Sequence, residues 1–252
     1  MKKPLISIIT PTYKSRDYID HTIESVISQT YDNWELIVVD DASMDGIEDY
    51  IREKYNDSRI KVFVKNINEG AARARNYAID NASGDFLAFL DSDDVWDKEK
   101  LSKQVNFMMN NNYAFTFTSY MIVDESNLEM NKEVRVPTKI DYEGFLRNTI
   151  IGTSTVILNR NLINNPYLVD VRQDHDSMTW LRIMRENNVQ AFGLNEILTY
   201  YYKRSGSISH NKFKAAKVHW RNLRKFENLS FIKTCVVFIQ YGFNAFKKHF
   251  SK

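Results

Sequence analysis

Along the first 120 residues, short runs rich in β-branched and large apolar residues alternate with stretches whose apolar residues recur at helical spacing, and this alternation restricts the fold more than any other feature of the chain. The β-rich runs fall at 5–10, 34–39, 60–64, 86–90 and 114–119, and the helical stretches at 17–29, 47–54, 71–81 and 98–109. In the first helical stretch Ile19, Ile23, Val26 and Ile27 share one face. Parallel strands need a crossover of helix length between them, whereas antiparallel neighbours need only a tight turn. The expected fold is therefore α/β, a mostly parallel sheet flanked by helices on both faces.

Beyond residue 120 the pattern changes. Residues 120–136 read as an irregular hairpin, 142–147 as a short helix, 154–158 as a strand, 177–186 as a helix carrying Met178, Leu181, Ile183 and Met184, and 198–202 as a strand. Two basic helices, near 211–227 and 231–250, close the chain. Without repeats or low-complexity linkers, one compact domain with a C-terminal helical appendage is the simplest reading. The 15 Phe, 14 Tyr and 4 Trp among 252 residues exclude a disordered chain. The single cysteine, Cys235, excludes an internal disulfide and fits a reducing compartment. The apolar run at 5–9 is too short for a signal-peptide core, and no stretch reaches the roughly 18 apolar residues of a spanning helix, so the expected location is cytoplasmic. The net charge of +2 hides an asymmetry: residues 203–252 hold 12 of the 34 Lys/Arg but one acid, Glu227, of 32. A basic tail of this kind points to an anionic partner, whether a lipid surface, a phosphate or a nucleic acid.

In open parallel sheets, ligands sit at the carboxyl ends of the strands. There the chain places Pro11-Thr12-Tyr13 after the first strand, Asp40-Asp41 after the second, and Asp91-Ser92-Asp93-Asp94 after the fourth. Two like charges about 4 Å apart repel by roughly 4 kcal/mol at a surface-like dielectric. A hard divalent ion, Mg²⁺ or Mn²⁺, would relieve that crowding, binding one or two carboxylates together with substrate phosphates. The competing reading, helix capping and turn chemistry, suits Asp45 and Asp97.

Four blocks, SIITPTYKS, WELIVVDDASMD, NEGAARARNYAI and GDFLAFLDSDDVW, resemble in order and spacing the nucleotide-diphospho-sugar-binding half of family 2 glycosyltransferases, the GT-A fold. The likeness spans roughly residues 4–200. NYAFTFTSY, NTIIGTSTVIL, VRQDHDSMTWLRI and LTYYYKRSGSIS resemble the bacterial surface-polysaccharide branch, with its teichuronic-acid, capsule, O-antigen and lipopolysaccharide-core enzymes. The resemblance implies a catalytic domain over 1–205, made of a nucleotide-sugar half (1–120) and an acceptor half (121–205), with a basic amphipathic appendage at 206–252. It implies that Pro11 and Tyr13 flank the base, that Asp41 accepts a base N–H as uracil would offer, and that Arg75 lies near base or ribose. By the same likeness Asp91 approaches the ribose or sugar, Asp93 binds the metal, and Asp174 is the general base.

The implied reaction is metal-dependent, inverting transfer of one hexose-type sugar from a UDP-sugar to a glycan acceptor, expected to be lipid-linked and met at the inner membrane face by a peripherally bound enzyme. A carboxylate within reach of the acceptor hydroxyl takes its proton, and the metal stabilises the departing diphosphate. The chain departs from the family pattern at Gln173-Asp174, where Glu-Asp is usual, and it lacks the Gln-x-x-Arg-Trp motif of processive synthases, which favours single-sugar addition. His175 and His210 are open to a ligand role or to a surface one, and Lys203 and Arg204 to neutralising the diphosphate or to a solvated loop. A nucleotidyltransferase would carry a Gly-rich loop where this chain has Pro11-Thr12-Tyr13-Lys14-Ser15, and a nucleic-acid-binding module would leave the aspartates unexplained.

Overall fold

A computed structural model describes residues 3–124, 131–203 and 212–250, without the side chains of 212–214 and 243–250. In chain order the elements are β1 (Ile6–Thr12), α1 (Ile19–Ile27), β2 (Trp34–Asp40), α2 (Ile47–Lys54), β3 (Ile60–Val64), α3 (Ala71–Asp80), β4 (Phe86–Phe89), β5 (Asp94–Trp96) and α4 (Lys100–Asn111). There follow β6 (Phe115–Val123), β7 (Lys132–Val134), β8 (Lys139–Ile140), α5 (Tyr142–Arg147), β9 (Ile157–Asn159), α6 (His175–Asn187), β10 (Ala191–Tyr202), α7 (Lys212–Phe226) and α8 (Phe231–Phe250).

The main path through the sheet runs β3-β2-β1-β4-β9-β6-β10-β5. β1 pairs in parallel with β2 and β4, β2 with β3, and β6 with β10. β9 enters antiparallel between β4 and β6, and β5 lies antiparallel on β10. β1 and β2 are buried along their full length, so both faces of the sheet must be covered. Ile6, Ile8, Leu36 and Val38 face α1, α2 and α4; Ile9, Ile37 and Val39 face α3 and the cluster built by α5, α6, α7 and α8. Trp180 of α6 is fully buried between Phe89 and Phe115, at 5.4 Å from each ring centroid, and locks α6 against the sheet centre.

Three local readings shift in extent or type, and one short strand was not read. The strand expected at 154–158 is a 3₁₀ turn, Thr153–Thr155, followed by β9. The strand expected at 198–202 is the end of the longer β10. The run 177–186 belongs to a helix that begins at His175. β5 was hidden within the aspartate-rich text, where its three residues show no periodicity to read. Gly193 lets β10 pass the 135–138 segment, because a Cβ there would meet the Pro137 carbonyl oxygen at 2.1 Å.

The C-terminal helices join the same core. Leu223, Leu229 and Val237 belong to the apolar cluster that holds Trp180 and Phe145. Glu227 accepts from Tyr142 Oη at 2.8 Å and pairs with Arg185 of α6. The outer side of α8 leaves Phe231, Ile232, Val236 and Ile239 exposed. Among the described residues no helix is long and apolar enough to cross a membrane.

Candidate active site

The carboxyl ends of β1 and β4 open onto a cavity of about 820 Å³. Its near wall carries Tyr13, Arg75, Asp91 and Asp93; its far wall carries Gln173, Asp174 and His175 from the start of α6, with His219 and Tyr241 from α7 and α8. Asp93 and Asp174, far apart in sequence, thus share one chamber because β4, β9 and β6 bring the α6 entry beside the β4 end.

The Asp91–Asp94 turn is built on Ser154. Ser154 Oγ accepts from the Asp91 N–H at 3.1 Å and donates to Asp94 Oδ2, while its carbonyl accepts from Trp96 Nε1 at 2.7 Å. A hydroxyl chain, Thr12 Oγ1 to Ser15 Oγ at 2.5 Å and Ser15 Oγ to Ser92 Oγ at 3.0 Å, ties the β1 loop to this turn. Asp94 is wholly buried behind the cavity wall. Burial first, and then the charges of Asp91 and Asp93, hold its carboxyl well above the usual carboxylate range. Its buried Oδ1 has no hydrogen-bond partner among the described residues. The carboxylates of Asp91 and Asp93 on one turn, an oxygen-only donor set, fit a hard divalent cation. Among the described residues no three His, Cys, Asp or Glu side chains gather around one point. Such an ion would therefore be held by one or two carboxylates plus substrate phosphate, the usual arrangement for Mg²⁺.

Arg75 is 3% exposed and joins both walls. One guanidinium nitrogen donates to Asp91 Oδ1 and another to His175 Nε2 at 2.7 Å. Burial and the adjacent Arg75 charge push the His175 pKa down, so its imidazole is neutral and accepts through Nε2. Asp174 precedes α6 in a left-handed conformation, φ 64°, that non-glycine residues seldom adopt. Its Oδ2 lies 2.8 Å from His219 Nδ1. The first-turn N–H groups of α6 favour a carboxylate at that point.

Of the site residues expected from sequence, Tyr13, Arg75, Asp91, Asp93 and Asp174 line the cavity, whereas Pro11 and Asp41 do not. Pro11 is buried in β1 opposite Val39. Asp41 is buried too; its carboxylate accepts the N–H of Gly70 at 2.6 Å and of Glu69 at 3.1 Å, and Lys65 Nζ lies 3.2 Å away. Asp45 and Asp97 accept backbone N–H groups at helix starts, as turn chemistry would have them do. Lys203 stands at the end of β10 with Nζ 3.9 Å from Asp124; Arg204 and His210 lie outside the described residues. Sequence reasoning missed Ser154, His219 and Tyr241. The His219, Asn222, Leu223, Phe226 spacing marks one helical face, but the surrounding basic residues drew attention to charge instead.

Comparison with known proteins bears on the family and the fold. A family model described as glycosyl transferase family 2 matches residues 7–166. The chain is 43% identical over 247 residues to TuaG of Bacillus subtilis, whose name provisionally assigns it to teichuronic acid biosynthesis, with 98% of each chain covered. It is 42% identical over 222 residues to WfgD of Escherichia coli, named as a UDP-Glc:α-D-GlcNAc-diphosphoundecaprenol β-1,3-glucosyltransferase, covering 88% of this chain and 86% of that one. Among solved structures, Staphylococcus aureus TarS 1–349 with UDP-GlcNAc superposes at a TM-score of 0.71, with 21% identity over 97% of this chain and 72% of that one. A mannosyltransferase of Pyrobaculum calidifontis with GDP-Man and Mn²⁺ gives 0.72, with 16% identity over 100% and 77%.

Proposed function

This chain belongs to glycosyl transferase family 2, and from that premise we propose that it moves one hexose-type sugar from a UDP-sugar to a lipid-linked glycan acceptor, with inversion at the anomeric carbon. One observation carries the reading: Asp93 and Asp174, from elements far apart in the chain, line the same cavity.

In this reading Tyr13 flanks the uracil, while Pro11 and Asp41, buried outside the cavity, support the loops that shape its edge. Arg75 fixes Asp91 towards the ribose or sugar. Asp93 would hold Mn²⁺ or Mg²⁺, which when bound neutralises the diphosphate as it leaves. Asp174 accepts the acceptor hydroxyl proton as that oxygen bonds to the anomeric carbon and the bond to the diphosphate breaks. Attack from the face opposite the leaving group turns an α-linked donor into a β-linked product.

A thermal-shift panel of nucleotide sugars, with and without Mn²⁺, tests the donor. A UDP-sugar at about 100 times its dissociation constant stabilises by roughly 2.7 kcal/mol, or about 5–10 °C for a chain of this size. The shift is expected with Mn²⁺ and to be much smaller without it. A panel in which GDP- or dTDP-sugars alone stabilise the protein would end the UDP assignment.

The acceptor's lipid would be met at the membrane face. Ile232, Val236 and Ile239 follow helical spacing on the exposed side of α8 beside Phe231, and Lys217, Arg221, Arg224 and Lys225 are supplied by α7. That composition suits an interfacial helix at an anionic surface. Vesicles containing phosphatidylglycerol are expected to co-sediment the protein at low ionic strength and release it in salt, and I232S/I239S to weaken the binding. Equal recovery in the supernatant with and without vesicles would rule the contact out.

A further inference from the structure

We infer that His219 of α7 is a positioning residue for Asp174, so that the C-terminal helices complete the active site; the inference rests on the reading of Asp174 as the acceptor base. α7 grips the entry to α6 at two successive residues. Asn222 Nδ2 donates to the Gln173 carbonyl at 3.2 Å, and His219 Nδ1 lies 2.8 Å from Asp174 Oδ2. His219 and Asn222 are 3% and 1% exposed, one turn apart on the helix face anchored by Leu223. Behind the imidazole, Tyr241 of α8 stacks with centroids 4.8 Å apart and planes 30° apart. The ring thus has a packed face, a fixed helix and one polar contact.

Because a carboxylate accepts, His219 donates from Nδ1. Nε2 is a buried polar atom without a hydrogen-bond partner among the described residues. A purely packing role against Tyr241 would be met better by phenylalanine, which leaves no polar atom unsatisfied. What the imidazole adds is the bond from Nδ1. Asp174 needs it, because its left-handed backbone is disfavoured for a non-glycine residue and its own side chain makes no capping bond to α6. With Oδ2 held by His219, Oδ1 has no hydrogen bond among the described residues and is the oxygen left for the acceptor hydroxyl.

The test compares H219F, H219N, D174N and H219F/D174N in steady-state transfer with an acceptor glycan, together with calorimetric UDP binding. H219F keeps the stacking ring and loses the donor; H219N restores an N–H near the Nδ1 position. Expected are a fall in kcat of about 10- to 100-fold for H219F, an unchanged UDP dissociation constant, and recovery of most of the loss in H219N. In the D174N background H219F is expected to add no further loss, since it acts through the missing carboxylate. Wild-type turnover in H219F, or multiplying losses in the double variant, would overturn the inference. The single variant D174N reports separately on the base assignment, and an active D174N would remove the premise rather than the contact.

Discussion

Asp174→Asn is expected to lower kcat about 10³-fold while leaving UDP-sugar binding within twofold of the parent, because a positioned general base contributes typically 10²–10⁴-fold. Asparagine keeps the shape of the side chain and a hydrogen-bonding group facing His219, and it tolerates the left-handed backbone at φ 64° at least as well as aspartate. The start of α6 is therefore retained, and thermal melting is expected to show it. What is removed is the capacity to accept a proton. Steady-state kinetics against varied donor and acceptor separate the outcomes: a loss in kcat with both KM values near the parent's is the signature of an interaction made in the transition state. Turnover within tenfold of the parent would transfer the role of base to another group.

Asp174 also shows how far the sequence alone reaches. Its candidacy came from likeness to a family pattern, and nothing in the local spacing announced a residue outside helical geometry, held by a side chain 45 positions away. The parallel half of the fold was more legible. β1, β2, β3 and β4 are fully or partly buried runs separated by amphipathic helices, and hydrophobic period and length are local properties. Pairing is not local. That β9 would insert antiparallel between β4 and β6 follows from the competition of whole surfaces for burial, which three residues of text cannot express. The same holds for Ser154, an ordinary serine in sequence that becomes the floor of the Asp91–Asp94 turn because β9 delivers it there. The basic tail was read from its charge, yet the contacts α7 makes to the start of α6 come from its buried face: His219 lines the cavity beside Asp174, and Asn222 holds the Gln173 carbonyl.

The Asp91–Asp94 turn yields the other large expected effect. Three carboxylates on one turn have distinct surroundings: Asp91 is bound to Arg75, Asp94 is sealed against Ser154, and Asp93 lines the cavity. Asp93→Ala is therefore expected to abolish the Mn²⁺-dependent part of UDP affinity and to lower transfer by about 10³-fold, the scale of losing one well-placed electrostatic contact to the departing group. Loss of fold is readily distinguished from this. Asp93 is half-buried on the cavity wall, so its replacement by alanine opens no space in the core. The metal-free variant should melt no lower than the parent, and it should lose the additional stabilisation that UDP with Mn²⁺ gives the parent. Asp94→Ala should behave in the opposite way, lowering the melting temperature without ligand because it leaves the Ser154 hydroxyl without its acceptor and opens a space in a fully buried site. Calorimetric titration of UDP into Asp93→Ala, with and without Mn²⁺, reads the result directly. Parent-like heats and affinity in the presence of the metal would place the ion elsewhere on the turn.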